Sequence, residues 1–306
     1  MNRLDAYTKG GVLALGNFDG VHRGHQAVVR AAIDKARGHG IAARVLTFEP
    51  HPRSVLRPDV PPFRLTPAPV KEKLLRALGV DDIIALPFTP TFSNLSAEEF
   101  VAEILIKRLG VQHVVAGFDY VFGHKRGGTM KLLRQWMAPH GVSVTEVTPF
   151  RDSLGLVMSS SRTRDALQQG DLKTAAHILG RNWSITGVVQ HGDQRGTAIG
   201  VPTANISLGD YLRPKFGVYA ILARRDSGGP AWQGVANIGT RPTVDGTTET
   251  LEAHLFGFND MIYGEEWAFE LTSFIRPEQK FDNIEALRLQ IMNDIEVAKK
   301  RLAAIP

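Results

Sequence analysis

The chain has 306 residues, no cysteine and a formal net charge of +5, from 36 lysines and arginines against 31 aspartates and glutamates. The lack of cysteine excludes disulfide bonds, thiolate zinc sites, iron–sulfur clusters and a cysteine nucleophile. Hydrophobic residues make up 43% and charged residues 22% of the chain, which is ordinary for a globular protein, and a small phosphorylated ligand accounts for the mild basic excess as well as nucleic acid would.

Length and hydropathy set further expectations. A length of 306 residues predicts two domains, because a domain usually has about 100 to 200 residues. No apolar run reaches the roughly 20 residues of a membrane helix, and the first ten residues, MNRLDAYTKG, do not read as a secretory signal. We therefore expect a cytoplasmic protein.

The first half of the chain predicts alternating strands and helices. The predicted strands cover 12–18, 43–50, 83–88, 113–123 and 142–150. A helix is predicted over 24–40, closing at Gly38 and Gly40, and another over 96–110, where Ser96 and Glu99 have capping-box spacing. This alternation predicts an α/β, Rossmann-like domain with a doubly wound parallel sheet.

The pattern changes after about residue 181. Short alternating strands separated by Gly, Pro and Asn predict a small antiparallel β-barrel, with strands over 183–192, 217–225, 232–239, 250–258 and 267–275. A terminal helix is predicted over about 283–303, with Asp282 and Glu285 as its start signal and a stripe that runs from Ile284 to Leu302. The boundary therefore divides the chain into 1–180 and 181–306.

The segment GNFDGVHRGHQ, residues 16–26, places two histidines three positions apart at the start of the first predicted helix. Its glycines allow a sharp turn, and a helix N-terminus offers free N–H groups to a phosphate. His22 and His25 could both donate hydrogen bonds to one phosphate group during transfer. The spacing alone leaves open a pair of zinc ligands and a pair of ordinary polar residues.

The HRGH segment after GNFDG resembles the HxGH motif of the nucleotidyltransferase superfamily, which transfers a nucleotidyl group from ATP and releases pyrophosphate. The resemblance implies that His22 and His25 contact ATP phosphates. The second signature of that superfamily, a serine-rich turn followed by arginine, is matched by MSSSRTRDAL, residues 158–167. The other ATP-binding residues implied in this half are Gly16, Phe18, Asp19, Gly24, Ser159, Ser160, Ser161, Arg162 and Arg164.

The segment AGFDYVFGHKRGG, residues 116–128, lies between these motifs and resembles the GxDFxFGxxRxG segment of the FMN adenylyltransferase module of bacterial bifunctional riboflavin kinase/FAD synthetase. Tyr120 stands where that family usually has Phe. The resemblance implies flavin-binding roles for Asp119, Phe122 and Arg126. TFEPHPRSVL, residues 47–56, resembles the segment after the family's second strand and adds His51 and Arg53 as candidates.

The later half carries HGDQRGTAIGVPTANISL, residues 191–208. Thr203 and Asn205 are two positions apart in a predicted strand and so face one side, where their oxygen atoms suit Mg²⁺. A turn followed by an edge strand is the alternative. PTAN after a glycine-rich loop resembles the riboflavin kinase motif, which implies ATP-phosphate binding by Gly192, Arg195, Gly196 and Gly200.

Downstream segments resemble the same kinase, among them FGVYA, NIGTRPT and TLEAHLFGFNDMIYGEEW. The resemblance implies that Glu252 is the base that takes the proton from the ribityl 5′-hydroxyl, and a positioned carboxylate suits that task. The chain departs from the family at Gly257 and Met261, where the family often has other residues. These departures leave the predicted metal and base residues unchanged.

Together the motifs predict a bifunctional enzyme that phosphorylates riboflavin to FMN and adenylylates FMN to FAD. Its expected co-substrate is ATP with Mg²⁺, and its expected partners are riboflavin, FMN and ATP, with no nucleic acid and no membrane. A homo-oligomer is compatible with the sequence. One alternative is a nucleotidyltransferase that acts on another phosphorylated acceptor and carries an inactive barrel. The other is a non-catalytic regulator that binds a flavin or a nucleotide.

Overall fold

The computed structural model describes residues 9–191, 201–243 and 246–304. The chain divides into two compact units, the first made of Met1–Pro61 and Thr66–Ser160 and the second of Pro62–Leu65 and Ser161–Pro306. This division by contacts precedes the functional boundary at residue 180 that the sequence predicts, and the functional boundary stays a prediction.

A parallel sheet forms the centre of the first unit, with five strands among its described residues in the order β3-β2-β1-β4-β5. The strands are β1 (Val12–Leu15), β2 (Ala43–Glu49), β3 (Asp82–Pro87), β4 (His113–Gly117) and β5 (Ser143–Val147). Alternate residues of β1 enter different cores, because Val12 packs with Val29 of one cluster and Leu13 with Phe100 of the other. The predicted Rossmann-like, doubly wound sheet is confirmed.

Helices cover the two faces of this sheet. The first unit contains α1 (Arg23–His39), α2 (Pro52–Leu56), α3 (Ala68–Ala77), α4 (Pro90–Ser93), α5 (Ala97–Glu99) and α6 (Met130–Met137). The capping box at Ser96 and Glu99 is confirmed, but one turn later the chain becomes a π-helix over Phe100–Arg108. The spacing of apolar residues in so short a segment does not distinguish an α-helix from a π-helix, which has more residues per turn.

The predicted strand over 113–123 is wrong in its second half, because β4 ends at Gly117. The amide of Tyr120 donates to the Gly117 carbonyl at 3.0 Å and closes a turn there. Phe122 then pairs with Gly128 through both backbone groups and so forms the base of a loop. The apolar residues of this stretch pack as a turn and loop rather than as an extension of the strand.

The described residues of the second unit form an antiparallel sheet of six strands in the order β6-β11-β8-β9-β10-β7. The strands are β6 (Trp183–Val188), β7 (Ala204–Ser207), β8 (Gly217–Arg225), β9 (Trp232–Thr243), β10 (Gly246–Leu255) and β11 (Glu266–Arg276). The amide of Gln190, just after β6, donates to the Asn205 carbonyl of β7 at 2.8 Å. This contact joins β6 and β7, which lie at the two ends of the strand order, and so nearly closes the sheet. The predicted small antiparallel barrel is confirmed.

The second unit also contains α7 (Ser160–Gln169), of which only Ser160 belongs to the first unit, together with α8 (Leu172–Leu179) and α9 (Ile284–Ala303). The predicted start signal of α9 is wrong by one residue, because the N-cap is Asn283, whose side-chain oxygen accepts from the Ala286 amide at 2.8 Å. Ile284 is 65% exposed and does not belong to the buried stripe, whereas Ile295, Ala298 and Leu302 pack on Val218 and Val235. Within the described ranges, no helix is long and apolar enough to cross a membrane.

Candidate functional site

The turn between β1 and α1 adopts an unusual backbone. Phe18 and Val21 have positive φ values of 53° and 42°, and Gly20 has a φ of 86°. Left-handed backbone at a non-glycine residue costs about 1–3 kcal/mol and tends to occur at functional sites. Phe18 and Val21 are 1% and 2% exposed, so burial of their side chains holds the turn in this shape. The turn therefore fixes the direction in which the following histidines leave the sheet.

His22 and His25 lie together at the N-terminus of α1. His22 is the N-cap, and its Nδ1 accepts from the His25 amide at 3.3 Å. The two imidazole rings stack with centroids 3.6 Å apart, and the Phe18 ring meets His25 edge-on at 5.3 Å. No group of three or more His, Cys, Asp or Glu side chains in the described ranges could hold a metal ion, so the zinc alternative lacks further ligands there. The geometry favours two adjacent donors at a helix terminus.

Asp19 and Ser160 brace this turn from within the first unit. The buried Asp19 carboxylate accepts from the Thr66 amide at 3.0 Å, and the Gly20 amide donates to the Thr66 hydroxyl at 2.9 Å. The Ser160 hydroxyl donates to the Asp19 carbonyl at 2.8 Å. A Cβ on Gly24 would lie 3.3 Å from the Met158 carbonyl. The serine segment and the histidine turn, 134 residues apart, are thus neighbours in the fold.

Of the remaining residues of the serine-rich signature, Ser159 belongs to the first unit, and Ser161, Arg162 and Arg164 belong to the second. Ser161 is exposed, whereas Ser159 of the first unit and Arg162 of the second are half-buried. The Arg164 Nε donates to the Phe63 carbonyl at 2.9 Å, and its guanidinium lies 5.4 Å from the centre of the Phe63 ring. Contact of these arginines with a triphosphate stays a prediction.

The predicted flavin-binding residues occupy the loop after β4. Phe122 is 7% exposed and packs its ring against Phe100 and Tyr120, with both centroid distances 5.6 Å. Asp119 and Arg126 are exposed on the same loop, and Arg126 has a left-handed φ of 59°. Phe122 thus anchors the loop in the core, and the two charged residues remain accessible to a ligand.

One of the two other candidates in the first unit, His51, has a structural role. His51 is 8% exposed and caps α2, where its Nδ1 accepts from the Arg53 amide at 3.0 Å. This contact gives His51 a role as a helix cap and uses only the backbone of Arg53, so ligand contacts of the two side chains stay predictions. Nearby, the sequence reasoning missed Lys71, whose buried ammonium lies 2.6 Å from a Glu49 carboxylate oxygen.

A row of polar side chains crosses three strands of the second unit. Glu252 of β10 is in register with Asn205 of β7 on one side and with Asn237 of β9 on the other. Residues directly opposite in antiparallel strands project from the same face. Leu251 and Ala253 project from the other face and are 0% and 1% exposed. Glu252 and the two asparagines therefore line the outer face of the barrel, and Glu252 is half-buried there.

Asn205 has the features of a ligand for a hard cation. Its side chain is 6% exposed, and its Oδ1 accepts no hydrogen bond from any group in the described residues. The amide nitrogen donates to the Thr203 carbonyl at 3.3 Å. Thr203 itself lies one residue before β7, which begins at Ala204, so the common face predicted for Thr203 and Asn205 stays a prediction. An unpaired, buried amide oxygen beside a carboxylate and a threonine suits Mg²⁺, which prefers oxygen ligands.

Glu278 contacts Asn237 at one end of this row, and the sequence reasoning missed both residues. The Asn237 amide nitrogen donates to the Glu278 carboxylate at 3.2 Å, and a Cβ on Gly239 would lie only 1.9 Å from that carboxylate. Asn237 is the first residue of the NIGTRPT segment, which resembles the kinase family. Only the strand register shows that Asn237 lies opposite Glu252. The predicted phosphate-binding residues Gly192, Arg195, Gly196 and Gly200 lie outside the described residues.

Comparison with known proteins associates each half of the chain with a family. The family model described as FAD synthetase matches residues 4–162, and the one described as riboflavin kinase matches residues 179–302. A bifunctional riboflavin kinase/FMN adenylyltransferase from Escherichia coli strain K12 is 37% identical over 299 residues, which cover 98% of this chain and 95% of that protein. Proteins of the same description from Bacillus subtilis and Listeria monocytogenes are 40% and 42% identical, and the alignments cover 94% and 92% of this chain and 91% and 90% of theirs.

A solved structure shares the whole fold. It is a crystal structure of a protein from Streptococcus pneumoniae, described there as a macrolide-efflux protein, with 34% sequence identity and a TM-score of 0.84. The match covers 96% of this chain and 95% of that one. The similarity thus extends over both units.

Proposed function

The chain belongs to the bifunctional riboflavin kinase/FMN adenylyltransferase family and is an enzyme of flavin cofactor synthesis, and we propose how its residues divide the two reactions. It phosphorylates riboflavin with ATP, giving FMN and ADP, and adenylylates FMN with a second ATP, giving FAD and pyrophosphate. Residues 1–180 carry the adenylyl transfer in this proposal, and residues 181–306 carry the phosphoryl transfer. The separate family matches at 4–162 and 179–302 support this division.

In adenylyl transfer, an FMN phosphate oxygen attacks the α-phosphorus of ATP, and the bond to the pyrophosphate oxygen breaks. No protein nucleophile is needed, so the protein contributes orientation and charge neutralisation. His22 and His25 donate hydrogen bonds to the ATP phosphates, with Ser159, Ser160, Ser161, Arg162 and Arg164 as further phosphate ligands. The stacked pair of imidazoles at the N-terminus of α1 is the observation that carries this assignment.

Asp119 and Arg126 bind the flavin substrate in the same unit. Both are exposed on the loop that Phe122 anchors, which supports their access to a ligand. Gly16, Phe18, Asp19 and Gly24 are the other ATP-binding residues of this proposal, and their contacts within the protein also hold the shape of the histidine turn.

In phosphoryl transfer, Glu252 takes the proton from the ribityl 5′-hydroxyl as that oxygen bonds to the γ-phosphorus of ATP and ADP leaves. The shared face of Glu252 and Asn205 supports this role, since the acceptor and the phosphates must meet at one place. Asn205 and Thr203 would hold Mg²⁺, which would neutralise phosphate charge when bound. The cytoplasmic location and a homo-oligomeric state stay predictions.

One assay tests the whole proposal. The purified protein is incubated with riboflavin, ATP and Mg²⁺, and the flavins are resolved by chromatography; we expect FMN first and FAD later. A second incubation starts from FMN and isolates the adenylyl transfer. If neither flavin product forms under either condition, the proposed function is wrong.

A further inference from the structure

Lys71 carries a buried ammonium group to which neither of the two proposed reactions assigns a role. It lies on α3 of the first unit, and its side chain is 3% exposed. Burying an ammonium group is costly unless it is paired and hydrogen-bonded, and an apolar side chain of similar volume often serves stability as well. A buried lysine at the edge of a candidate active site therefore calls for a reason beyond packing.

The described contacts of Lys71 join two segments of the site. Its Nζ lies 2.6 Å from the Glu49 carboxylate, 3.0 Å from the Thr47 hydroxyl and 3.4 Å from the Asn17 carbonyl. The Thr47 hydroxyl in turn donates to the Asn17 carbonyl at 3.1 Å. Thr47 and Glu49 belong to the end of β2, and Asn17 belongs to the histidine turn.

The Lys71 ammonium and the Thr47 hydroxyl both donate to the Asn17 carbonyl. This carbonyl belongs to the peptide group that leads into Phe18, the first residue of the turn with left-handed backbone, φ 53°. The Phe18 ring contacts the His25 ring edge-on at 5.3 Å. Two donors, from Lys71 and Thr47, thus orient the peptide that fixes Phe18, and Phe18 contacts a proposed phosphate ligand.

We propose that Lys71 is a positioning residue for adenylyl transfer, which holds the histidine turn against the end of β2 so that His22 and His25 meet the ATP phosphates in a fixed geometry. It acts through Asn17 and contacts no substrate. The inference rests on the adenylyl transfer proposed for the first unit. Displacing a reacting group by about 1 Å can cost about 100-fold in rate, so loss of this anchor should reduce turnover more than substrate binding.

The first test compares Lys71→Met with Lys73→Met in the full chain. Both changes remove an ammonium from α3, but Lys73 is exposed and serves as the matched control. With FMN and ATP as substrates, Lys71→Met should lower kcat about 10- to 100-fold and leave KM for ATP within about threefold, because the phosphate ligands remain but are misplaced. Lys73→Met should match the parent, and riboflavin phosphorylation should be unchanged in both variants.

A second variant separates positioning from stability. Thr47→Val removes the hydroxyl that bridges Lys71 and Asn17, and should lower the same kcat about three- to tenfold, the value of one hydrogen bond. Since the two side chains bond to each other and to one carbonyl, the double variant should lose less kcat than the product of the two single effects. Should Lys71→Met fail to fold, as judged by circular dichroism, Thr47→Val alone decides.

Two outcomes would overturn the inference. One is a parent-like kcat in Lys71→Met or Thr47→Val with only a lower Tm, which is what a purely structural network predicts. The other is a fall in kcat in the double variant that equals the product of the two single effects, which means that Lys71 and Thr47 act independently of each other. Failure of the proposed function gives a different result, since the parent protein would then make no FAD from FMN.

Discussion

Replacing Gly16 with alanine should slow FAD formation from FMN and leave FMN formation from riboflavin unchanged. The sequence assigns Gly16 to phosphate binding, and the structure adds a packing reason for glycine at this position. A Cβ at residue 16 would lie 2.9, 3.1 and 3.2 Å from three atoms of the Phe18 ring. Because Phe18 is 1% exposed and contacts His25, its ring cannot yield without disturbing a proposed phosphate ligand.

The size of the effect follows from these contacts. The nearest ring atom lies at 2.9 Å, below the 3.0 Å that real Cβ atoms essentially never cross, and must retreat by about 0.5 Å to reach ordinary contact at 3.4 Å. Overpacking of this kind costs about 1–3 kcal/mol of the free energy of unfolding. If about 1.4 kcal/mol of that strain is expressed in the transition state for adenylyl transfer, the rate falls about tenfold.

The assay measures kcat for FAD formation from FMN and ATP, kcat for FMN formation from riboflavin, and the thermal unfolding of each variant. Gly38→Ala is the matched control, because Gly38 lies in α1 and its Cβ would meet no atom within 4 Å. That control should stabilise the protein by up to about 1 kcal/mol through helix propensity. Parent-like kcat and Tm in Gly16→Ala would refute the packing argument.

Four further changes test the site. Glu252→Gln should lower FMN formation about 10²- to 10⁴-fold through loss of a general base, while FMN is still converted to FAD; FMN formation at the parent rate would remove Glu252 from that role. His25→Ala should have the converse effect, lowering FAD formation about 10²- to 10³-fold, and unimpaired FAD synthesis would contradict the phosphate contact. Asn205→Ala should raise the Mg²⁺ concentration for half-maximal FMN formation about tenfold or more, and an unchanged Mg²⁺ titration would show that Asn205 is not a ligand. Tyr120→Phe should raise the free energy of unfolding by about 1 kcal/mol, because the Tyr120 hydroxyl is buried without a hydrogen-bond partner in the described residues. A lower Tm than that of the parent protein would show that this hydroxyl stabilises the fold.

Several features could be predicted because their signals are local. Alternating apolar segments and glycine-closed helices predict the parallel sheet, and short strands between turn residues predict the barrel. The helix over 96–110 shows the limit of such signals. Its capping box is read correctly from Ser96 and Glu99, but hydrogen bonds characteristic of a π-helix replace those of an α-helix from Phe100 onward. The start of α9 at Asn283 rather than Asp282 is a similar case, since two adjacent polar residues compete for one cap.

The sequence by itself determined the fold class, the two families and the identity of the histidine, serine and PTAN segments, because each is a short run of neighbouring residues. Only the tertiary structure decided which distant side chains meet. The strand register places Asn205 and Asn237 on either side of Glu252, and the folded sheet brings Lys71 to Asn17. The physical reason is that cross-strand pairing and buried charge contacts join residues far apart in the chain, and no local pattern of residue types specifies those partners.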